Sequence, residues 1–315
     1  MLDIERDILL FYRRHEHDFP SRDFKRTITG FQAWFDLLAE SLRRSGCTVH
    51  ENDFALAHQY PDYPVGLVGT PLALKNWDLA NPAILGPSMY DHPRLNPHLM
   101  QDERFKHYLL TCNWLLDVFV PFYGEKCVLW KAGINTEQWF DTRQCHKDID
   151  VLIYDKLRWT REVKERLLLT PIIRHVEHRC LNHYHLRYGN ISHAQFAELL
   201  SRSRAMIFLC EHETQGMAYQ EALACNVPIL AWDPGYWVDP LWELLSENPV
   251  PATSVPQFSK LCGLTFRKVY HFPACFDEFY AKLDTYEPRQ FVQQNLSMSE
   301  SAAAYLRYYK ACYGH

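Results

Sequence analysis

The chain has 315 residues, of which 47% are hydrophobic and 23% are charged, and this length allows two globular domains of about 150 residues each. Its net charge of −5 argues against duplex nucleic acid as the main partner, because binding to phosphate backbones needs a basic face. No apolar run approaches the roughly 20 residues of a membrane span, and the opening segment is charged throughout. The ten cysteines lack the C-x-x-C spacing of zinc or redox sites. We therefore expect reduced thiols and a cytoplasmic protein with neither a signal peptide nor a transmembrane segment.

Short apolar runs alternate with amphipathic runs along the first half of the sequence. DILLFY (7–12) predicts a strand, and ITGFQAWFDLLAESLRRSG predicts a helix that ends at Gly46, because its apolar residues recur at intervals of three and four. Five further strands are predicted, at CTVHE, VGLVGT, PAILGP, HYLLTC and CVLWKAG. Alternation of this kind favours a parallel sheet with helices on both faces.

The same alternation restarts near residue 148. DIDVLIY (148–154) predicts a strand, and a helical region follows to about residue 178, broken or kinked at Pro171. HYHLRYG, AMIFLC and VPILAW predict strands, separated by a helix capped by Ser192 and by the helical run MAYQEALACN. We therefore predict two Rossmann-like domains. The first covers residues 1–140 together with a C-terminal helix at about 290–315, and the second covers 141–290.

The stretch EHETQG (211–216) lies between a predicted strand and a predicted helix. Ligands of open α/β sheets bind at the carboxyl ends of strands, and the first turn of a helix offers N–H groups suited to phosphate. Gly216 allows a ligand close to the backbone. Glu213 in the loop and Glu221 in the helix can accept hydrogen bonds from hydroxyl pairs, one of a sugar and one of a ribose. On spacing alone, two solvated surface glutamates remain an alternative.

The run ETQGMAYQEALACNVPILA resembles the E-x7-E signature of retaining GT-B glycosyltransferases such as glycosyltransferase family 4, whose common form is E-G-F-G-L-x-x-x-E-A-M-A-C-G-x-P-V-x-A. Glu213 and Glu221 fall on its two glutamates, and Gly216 falls on its second glycine. Thr214 and Asn226 stand where the family has glycines. The resemblance implies the GT-B architecture, in which two Rossmann-like parallel-sheet domains face a central cleft and a C-terminal helix crosses back to the first domain.

The resemblance extends over roughly residues 130–235. WKAGINTEQWF (130–140) is similar to the family's segment at the domain joint, and DVLIYDKLRWTR is similar to the first strand of its C-terminal domain. There the family carries an arginine and, five residues later, a lysine, both on the donor diphosphate. Lys156 and Arg161 have that spacing with the residue types exchanged. Two surface cations at a helix start remain the alternative reading.

The resemblance also implies roles for individual residues. Glu213, Lys156 and Arg161 are expected to be catalytic, together with Asp91 and His92, which follow the PAILGP strand and are expected to point at the donor sugar; a local turn before Pro93 is the alternative. The residues expected to bind the donor are Glu221, Gly216, Met217, Gln215, Thr214, Tyr188 and Gly189. Gly30 and Lys25 are expected on the acceptor side.

Two metal-like patterns carry little weight. The D-x-D at 148–150 precedes an apolar strand rather than following one, so we interpret it as a strand start. His183 and His185 alternate on one strand and therefore share a face, but no third ligand is suggested. We expect no metal and no other cofactor.

The resemblance implies a hexosyltransferase-type enzyme that moves a sugar from a UDP- or GDP-sugar to a glycan, lipid-linked or other small acceptor, with retention of the anomeric configuration and without a metal. Two other functions remain open from the sequence. One is a nucleotide-sugar epimerase of the same architecture, and the other is a non-catalytic sugar-nucleotide-binding partner of another transferase.

Overall fold

The computed structural model describes residues 2–12, 30–75, 77–189, 191–246 and 248–313. The chain divides into two compact units. Unit 1 consists of Met1–Gly133 and Met298–His315, and unit 2 consists of Ile134–Ser297. The sequence predicts domain boundaries at 140 and about 290, whereas the units meet at 133/134 and 297/298.

Unit 1 is built on a six-stranded sheet in which all paired strands are parallel. Its strands are β1 (Asp7–Tyr12), β2 (Thr48–Glu51), β3 (Val65–Val68), β4 (Ala83–Leu85), β5 (Phe105–Leu110) and β6 (Cys127–Leu129), in the order β2-β1-β3-β4-β5-β6. Its first three helices are α1 (Gly30–Arg44), α2 (Phe54–Gln59) and α3 (Asn113–Tyr123). Strand β1 is the predicted DILLFY run, and its apolar side chains are buried as expected for a central parallel strand.

Unit 2 contains a second parallel sheet, with five strands in the order β11-β10-β9-β7-β8. The strands are β7 (Ile149–Lys156), β8 (His183–Arg187), β9 (Ser203–Cys210), β10 (Ile229–Trp232) and β11 (Gly263–Phe266). The helices are α4 (Arg161–Lys164), α5 (Thr170–His178), α6 (His193–Arg202), α7 (Met217–Ala224), α8 (Leu241–Leu245), α9 (Phe272–Ala281) and α10 (Pro288–Asn295). The predicted arrangement of two parallel-sheet α/β domains is confirmed.

The helical region after β7 continues through the predicted proline and does not end there. Residues Glu165–Leu169 form a π-helical segment that joins α4 to α5, and Pro171 lies in the first turn of α5. Because Pro171 has no N–H to donate to the preceding turn, a wider turn before it preserves the helix. Ser192 caps α6 as predicted, in a capping box with Gln195.

Alternation along β7 divides its side chains between two cores. Leu152 and Tyr154 pack on one face of the sheet with α7, whereas Val151 and Ile153 pack on the other face with α5. Since successive side chains of a strand point to opposite faces, Asp155 and Lys156 at the strand end also separate. Because they point to opposite faces, Lys156 and Asp155 form separate ion pairs, which are described below.

The last helix, α11 (Met298–Ala311), belongs to unit 1 and packs against α1, which confirms the prediction that the C-terminal helix returns to the first domain. The buried Tyr309 hydroxyl accepts a hydrogen bond from the N–H of Leu9 at 2.8 Å and donates one to the carbonyl of Pro64 at 2.5 Å. The hydroxyl of Tyr305 is also buried but has no hydrogen-bond partner among the described residues. One tyrosine therefore ties α11 to the central strands, while its neighbour contributes only packing.

We expect Tyr309→Phe to lower the free energy of unfolding by about 1–3 kcal/mol, because the N–H of Leu9 loses its buried acceptor. Denaturant unfolding followed by circular dichroism measures the change. Tyr305→Phe is the matched control and should be neutral or slightly stabilising, since its hydroxyl makes no bond in the described structure. Equal losses in the two variants would contradict the assigned role of the Tyr309 hydroxyl.

Candidate functional site

The order of strands in unit 2 creates a topological switch point at the carboxyl ends of β7 and β9. Strand β7 lies between β8 and β9 in the sheet. The connection that leaves β7 therefore leads to the strand on one side of it, and the connection that leaves β8 leads back to the strand on the other side. In open parallel sheets such a switch point is where ligands bind, outside the carboxyl ends of the strands. Lys156 at the end of β7 is paired in register with Cys210 at the end of β9. The loops after these two strands therefore start side by side.

Lys156 and Glu213 form an ion pair at this strand end. The Lys156 Nζ lies 2.5 Å from the Glu213 Oε1, and the two side chains are only 14% and 11% exposed. The thiol of Cys210 donates to the same carboxylate oxygen at 3.4 Å, and Nζ lies 4.8 Å from the ring centre of Tyr188. Burial alone lowers the pKa of the lysine, but the Glu213 carboxylate outweighs it, and the pKa of Lys156 is raised. The lysine is therefore held in its charged form.

Helix α7 begins beside this ion pair. Its N-terminal flanking residue, Gly216, has a φ of +79°, and a Cβ there would lie 2.2 Å from the Tyr219 ring and 3.2 Å from the Glu213 Cγ. The Tyr219 hydroxyl accepts from the N–H of Gln257 and donates to its carbonyl, each at 3.1 Å. The geometry admits only glycine without strain, and it places the first turn of α7, starting at Met217, next to Glu213.

The two remaining loop residues of this stretch differ in their surroundings. Gln215 is fully buried, and its Nε2 donates to the Oε1 of Gln220 at 3.1 Å. Gln220 in turn donates to the backbone carbonyl of Gln215 and to the side chain of Gln257. This buried amide network engages the Gln215 side chain inside the protein. Thr214 is half-buried at the surface of the loop, as is Met217 at the start of α7.

Glu221 lies in the second turn of α7, with 8% of the residue exposed. Its side chain makes no hydrogen bond or ion pair with any residue that the structure describes, and burial raises its pKa to about 8. Tyr154, on the Lys156 side of the sheet end, has its own pKa raised by burial, and the Glu213 and Glu221 carboxylates both contribute. Both glutamates of the E-x7-E pattern therefore act on one neighbourhood.

Asn226 replaces a glycine of the pattern without disrupting the end of α7. Its φ is +64°, a conformation that asparagine tolerates better than most residues. Its amide oxygen accepts from the N–H of Arg289 at 3.2 Å, and its amide nitrogen lies 3.4 Å from the carboxylate of Asp141. These bonds compensate for the left-handed backbone.

Arg161 is engaged on the other side of the sheet end. Its guanidinium binds both carboxylate oxygens of Asp155, at 3.0 and 2.6 Å, and the Nε2 of His185 lies 3.0 Å from the same carboxylate. Burial alone would raise the pKa of Asp155, but the hydrogen bonds from His185 and Arg161 outweigh it and hold that pKa well below its usual range. The two predicted cations thus belong to different ion pairs.

Sequence reasoning missed two residues at the same strand ends. Arg158 lies two positions after Lys156, and its guanidinium approaches the carbonyl of His212 at 3.4 Å. Glu211 lies two positions before Glu213 and is fully buried. The sequence signal for both was the i, i+2 spacing from a predicted site residue, because loops at strand ends can place such residues around one point.

Other predicted residues belong to unit 1 or follow β8. Asp91 is exposed and His92 is buried after β4; the Nδ1 of His92 accepts from the N–H of Arg94 at 3.1 Å, and burial lowers the pKa of His92. Gly30 is the exposed first residue of α1, where a Cβ would meet nothing within 4 Å. Gly189 is exposed beside Tyr188, with a φ of +86°. The predicted Lys25 lies outside the described residues.

Across the described ranges, no group of three or more histidine, cysteine, aspartate or glutamate side chains could hold a metal ion. None of the described helices has both the length and the apolar character needed to cross a membrane.

We expect Gly216→Ala to lower the free energy of unfolding by about 2 kcal/mol or more, because the new methyl group meets the Tyr219 ring in addition to the strained φ. Gly189→Ala is the control, since it has a similar φ and open space around the Cβ, and it should cost about 1 kcal/mol. Urea unfolding of both variants measures the difference. Equal losses would show that crowding by Tyr219 plays no part.

Glu221 predicts a pH-dependent stability. Between pH 4.5 and about 8 the folded protein keeps a proton that the unfolded chain releases, so wild-type stability falls as the pH rises through this window. Glu221→Gln removes this titration. The variant should gain on wild type by on the order of 1 kcal/mol per pH unit between pH 5 and 8, as measured by urea unfolding at each pH. A constant difference across this window would contradict the raised pKa.

Known proteins resemble the chain most clearly in its second unit and in its overall fold. The model of the family described as "Glycosyl transferases group 1" matches residues 146–239. No curated protein sequence matches the chain at a significant level.

Among solved structures, a glycosyltransferase from Rickettsia africae superposes with a TM-score of 0.63 at 13% identity, covering 98% of this chain and 99% of that one. Sucrose-phosphate synthase from Thermosynechococcus elongatus superposes with a TM-score of 0.58 at 13% identity, covering 97% of this chain and 98% of that one. The pneumococcal O-GlcNAc transferase in complex with UDP and GlcNAc superposes with a TM-score of 0.54 at 10% identity, covering 83% of this chain and 60% of that one. With its two parallel sheets, the chain has the GT-B fold of these glycosyltransferases.

Proposed function

We propose that the chain is a glycosyltransferase that binds a nucleotide sugar in unit 2 and transfers the sugar to an acceptor. The observation that carries this proposal is the Lys156–Glu213 ion pair at the switch point of the sheet, beside the first turn of α7. The match of residues 146–239 to the group 1 glycosyl transferases supports it, since this segment contains the whole arrangement. The UDP and GlcNAc bound to the pneumococcal transferase are ligands of the proposed class.

The donor would be held from both ends. The N–H groups in the first turn of α7 and the ammonium of Lys156 suit the diphosphate, because both present positive charge to the same crevice. The carboxyl group of Glu221, which has no partner among the described residues, suits the two hydroxyl groups of the ribose, since a carboxylate accepts two hydrogen bonds. Tyr188 and Gly189 then border the base, at the end of β8.

Departure of the diphosphate is the demanding step of such a transfer, because negative charge develops on the leaving group. Lys156 stays charged within a mostly buried environment, so it stabilises that charge more than a solvated cation would. We propose that Glu213 orients the donor sugar by accepting hydrogen bonds from the hydroxyl groups of the sugar, and that it does not attack the sugar. We propose that the transfer retains the anomeric configuration, because the E-x7-E pattern resembles that of retaining enzymes. We also propose that it needs no metal, because Lys156 and the first turn of α7 supply positive charge to the diphosphate.

The remaining parts of the proposal concern the acceptor and the setting. Asp91 and His92 at the end of β4 are proposed to face the donor sugar, and Gly30 and Lys25 to border the acceptor. The acceptor is proposed to be a glycan, a lipid-linked sugar or another small molecule, in the cytoplasm.

Incubation of the protein with a panel of UDP- and GDP-sugars tests the function. We expect slow hydrolysis or transfer of one donor, detected as released nucleoside diphosphate. Lys156→Met should lower this turnover about 100-fold, because the leaving group loses its buried cation. Its thermal unfolding midpoint is measured alongside as the control for folding. Formation of an epimer, or binding without turnover, would contradict the proposal, and a loss of stability equal to the loss of activity would make Lys156 structural.

A further inference from the structure

Four cations lie within nine residues after the end of β7, and three of them are bound to carboxylates. Lys156 pairs with Glu213, Arg161 with Asp155 and Lys164 with Glu211. The fourth, Arg158, is exposed and has no carboxylate within ion-pair distance in the described structure. These four are Lys156, Arg158, Arg161 and Lys164. Of these four cations, Arg158 alone therefore brings an uncompensated positive charge to this sheet end.

The Arg158 side chain is nevertheless fixed in place. Its guanidinium carbon lies 4.1 Å from the ring centre of Trp159, and its Nη2 donates to the carbonyl of His212 at 3.4 Å. The Trp159 ring stacks on the His212 ring at 5.0 Å with 12° between the planes. Since His212 immediately precedes Glu213, this stack holds the guanidinium beside the Lys156–Glu213 pair.

Glu211 fixes the backbone that carries Arg158. One oxygen of this fully buried carboxylate accepts from the N–H of Arg158 at 2.9 Å and from the N–H of Trp159 at 3.3 Å. The same oxygen accepts from the Nζ of Lys164 at 2.9 Å, and that Nζ also donates to the carbonyl of Trp159 at 2.7 Å. The turn is thus held through both its donors and its acceptor. The other oxygen of Glu211 is buried without a partner in the described structure, so the carboxylate is not optimised for stability alone.

We propose that Arg158, and not Arg161, is the second cation that contacts the donor diphosphate, and that Glu211 is the residue that positions it. The inference rests on the proposed function. A guanidinium offers a planar fork that binds two phosphate oxygens in parallel, whereas the ammonium of Lys156 is a compact point charge without that geometry. Arg161 has its fork occupied by the two oxygens of Asp155, on the opposite face of the strand. Because the Arg161 guanidinium is bound to a buried carboxylate, Arg158 is the arginine of this segment that can bind the diphosphate.

Calorimetric titration of the full chain with UDP, GDP and ADP, and with the corresponding nucleosides, tests the proposal. Arg158→Ala should weaken binding of the preferred nucleoside diphosphate by about tenfold or more, because a charge-assisted contact is lost, and leave nucleoside binding unchanged. Arg158→Lys should recover part of the loss. Arg166→Ala is the matched control, since it removes an exposed arginine from the same helical region, and it should change the affinity less than about twofold.

Glu211 is tested by a double-mutant cycle. Glu211→Gln should weaken diphosphate binding in the wild-type background but cost no further affinity in Arg158→Ala, because its effect acts through Arg158. A residue that only supported the fold would weaken binding equally in both backgrounds. If wild type binds a diphosphate and Arg158→Ala binds it equally well, the inference fails while the proposed function stands. If wild type binds none of the three diphosphates, the proposed function fails as well.

Discussion

The pairing of β7 with β9 is the constraint on which the candidate site depends. Their ladder puts Lys156 opposite Cys210, so the first residues after each strand can meet only in one arrangement. A buried ion pair such as Lys156–Glu213 contributes little net stability, because desolvation of both charges offsets their attraction. The strand pairing therefore fixes the positions of the two charges, and the sheet does not depend on the ion pair for its stability. Such an arrangement suits a binding site, since the ion pair can rearrange around a ligand while the strands stay in place.

Carboxylates that are close in sequence have different partners at this end of the sheet. Glu211 and Glu213 are two residues apart, yet one bonds the turn that carries Arg158 and the other bonds Lys156. In the same way, Asp155 and Lys156 are adjacent but point to opposite faces of β7, so Asp155 binds Arg161 away from the Lys156–Glu213 pair. For Asp155 and Lys156, the face of β7 to which each side chain points therefore decides its partner.

Much of the fold was accessible from the sequence because parallel strands buried on both faces are written as continuous apolar runs, as in β1 and β9. The C-terminal part of unit 2 was not. Helix α9 starts with Phe272, carries a proline in its first turn and is stabilised by aromatic packing of Phe276 and Phe279, which no propensity signals. In the site, the resemblance predicted that Lys156 and Glu213 converge, and the two side chains form an ion pair. The partner of Arg161 could not be predicted from the sequence, because it depends on the face of β7 to which Asp155 points.

Four acidic residues are buried at this end of the sheet, Asp155, Glu211, Glu213 and Glu221, and they differ in the partners that neutralise them. Asp155 and Glu211 are wholly inaccessible, and each is neutralised by a cation and several donors. Glu221 keeps a small exposed surface and receives no donor from the described residues, so its pKa rises to about 8. A buried carboxyl group without donors lowers the stability of a fold by several kcal/mol when it ionises. In the proposed function, hydroxyl donors of a bound ribose would remove that cost, which gives a reason for a glutamate at a position where an apolar residue would make a more stable helix.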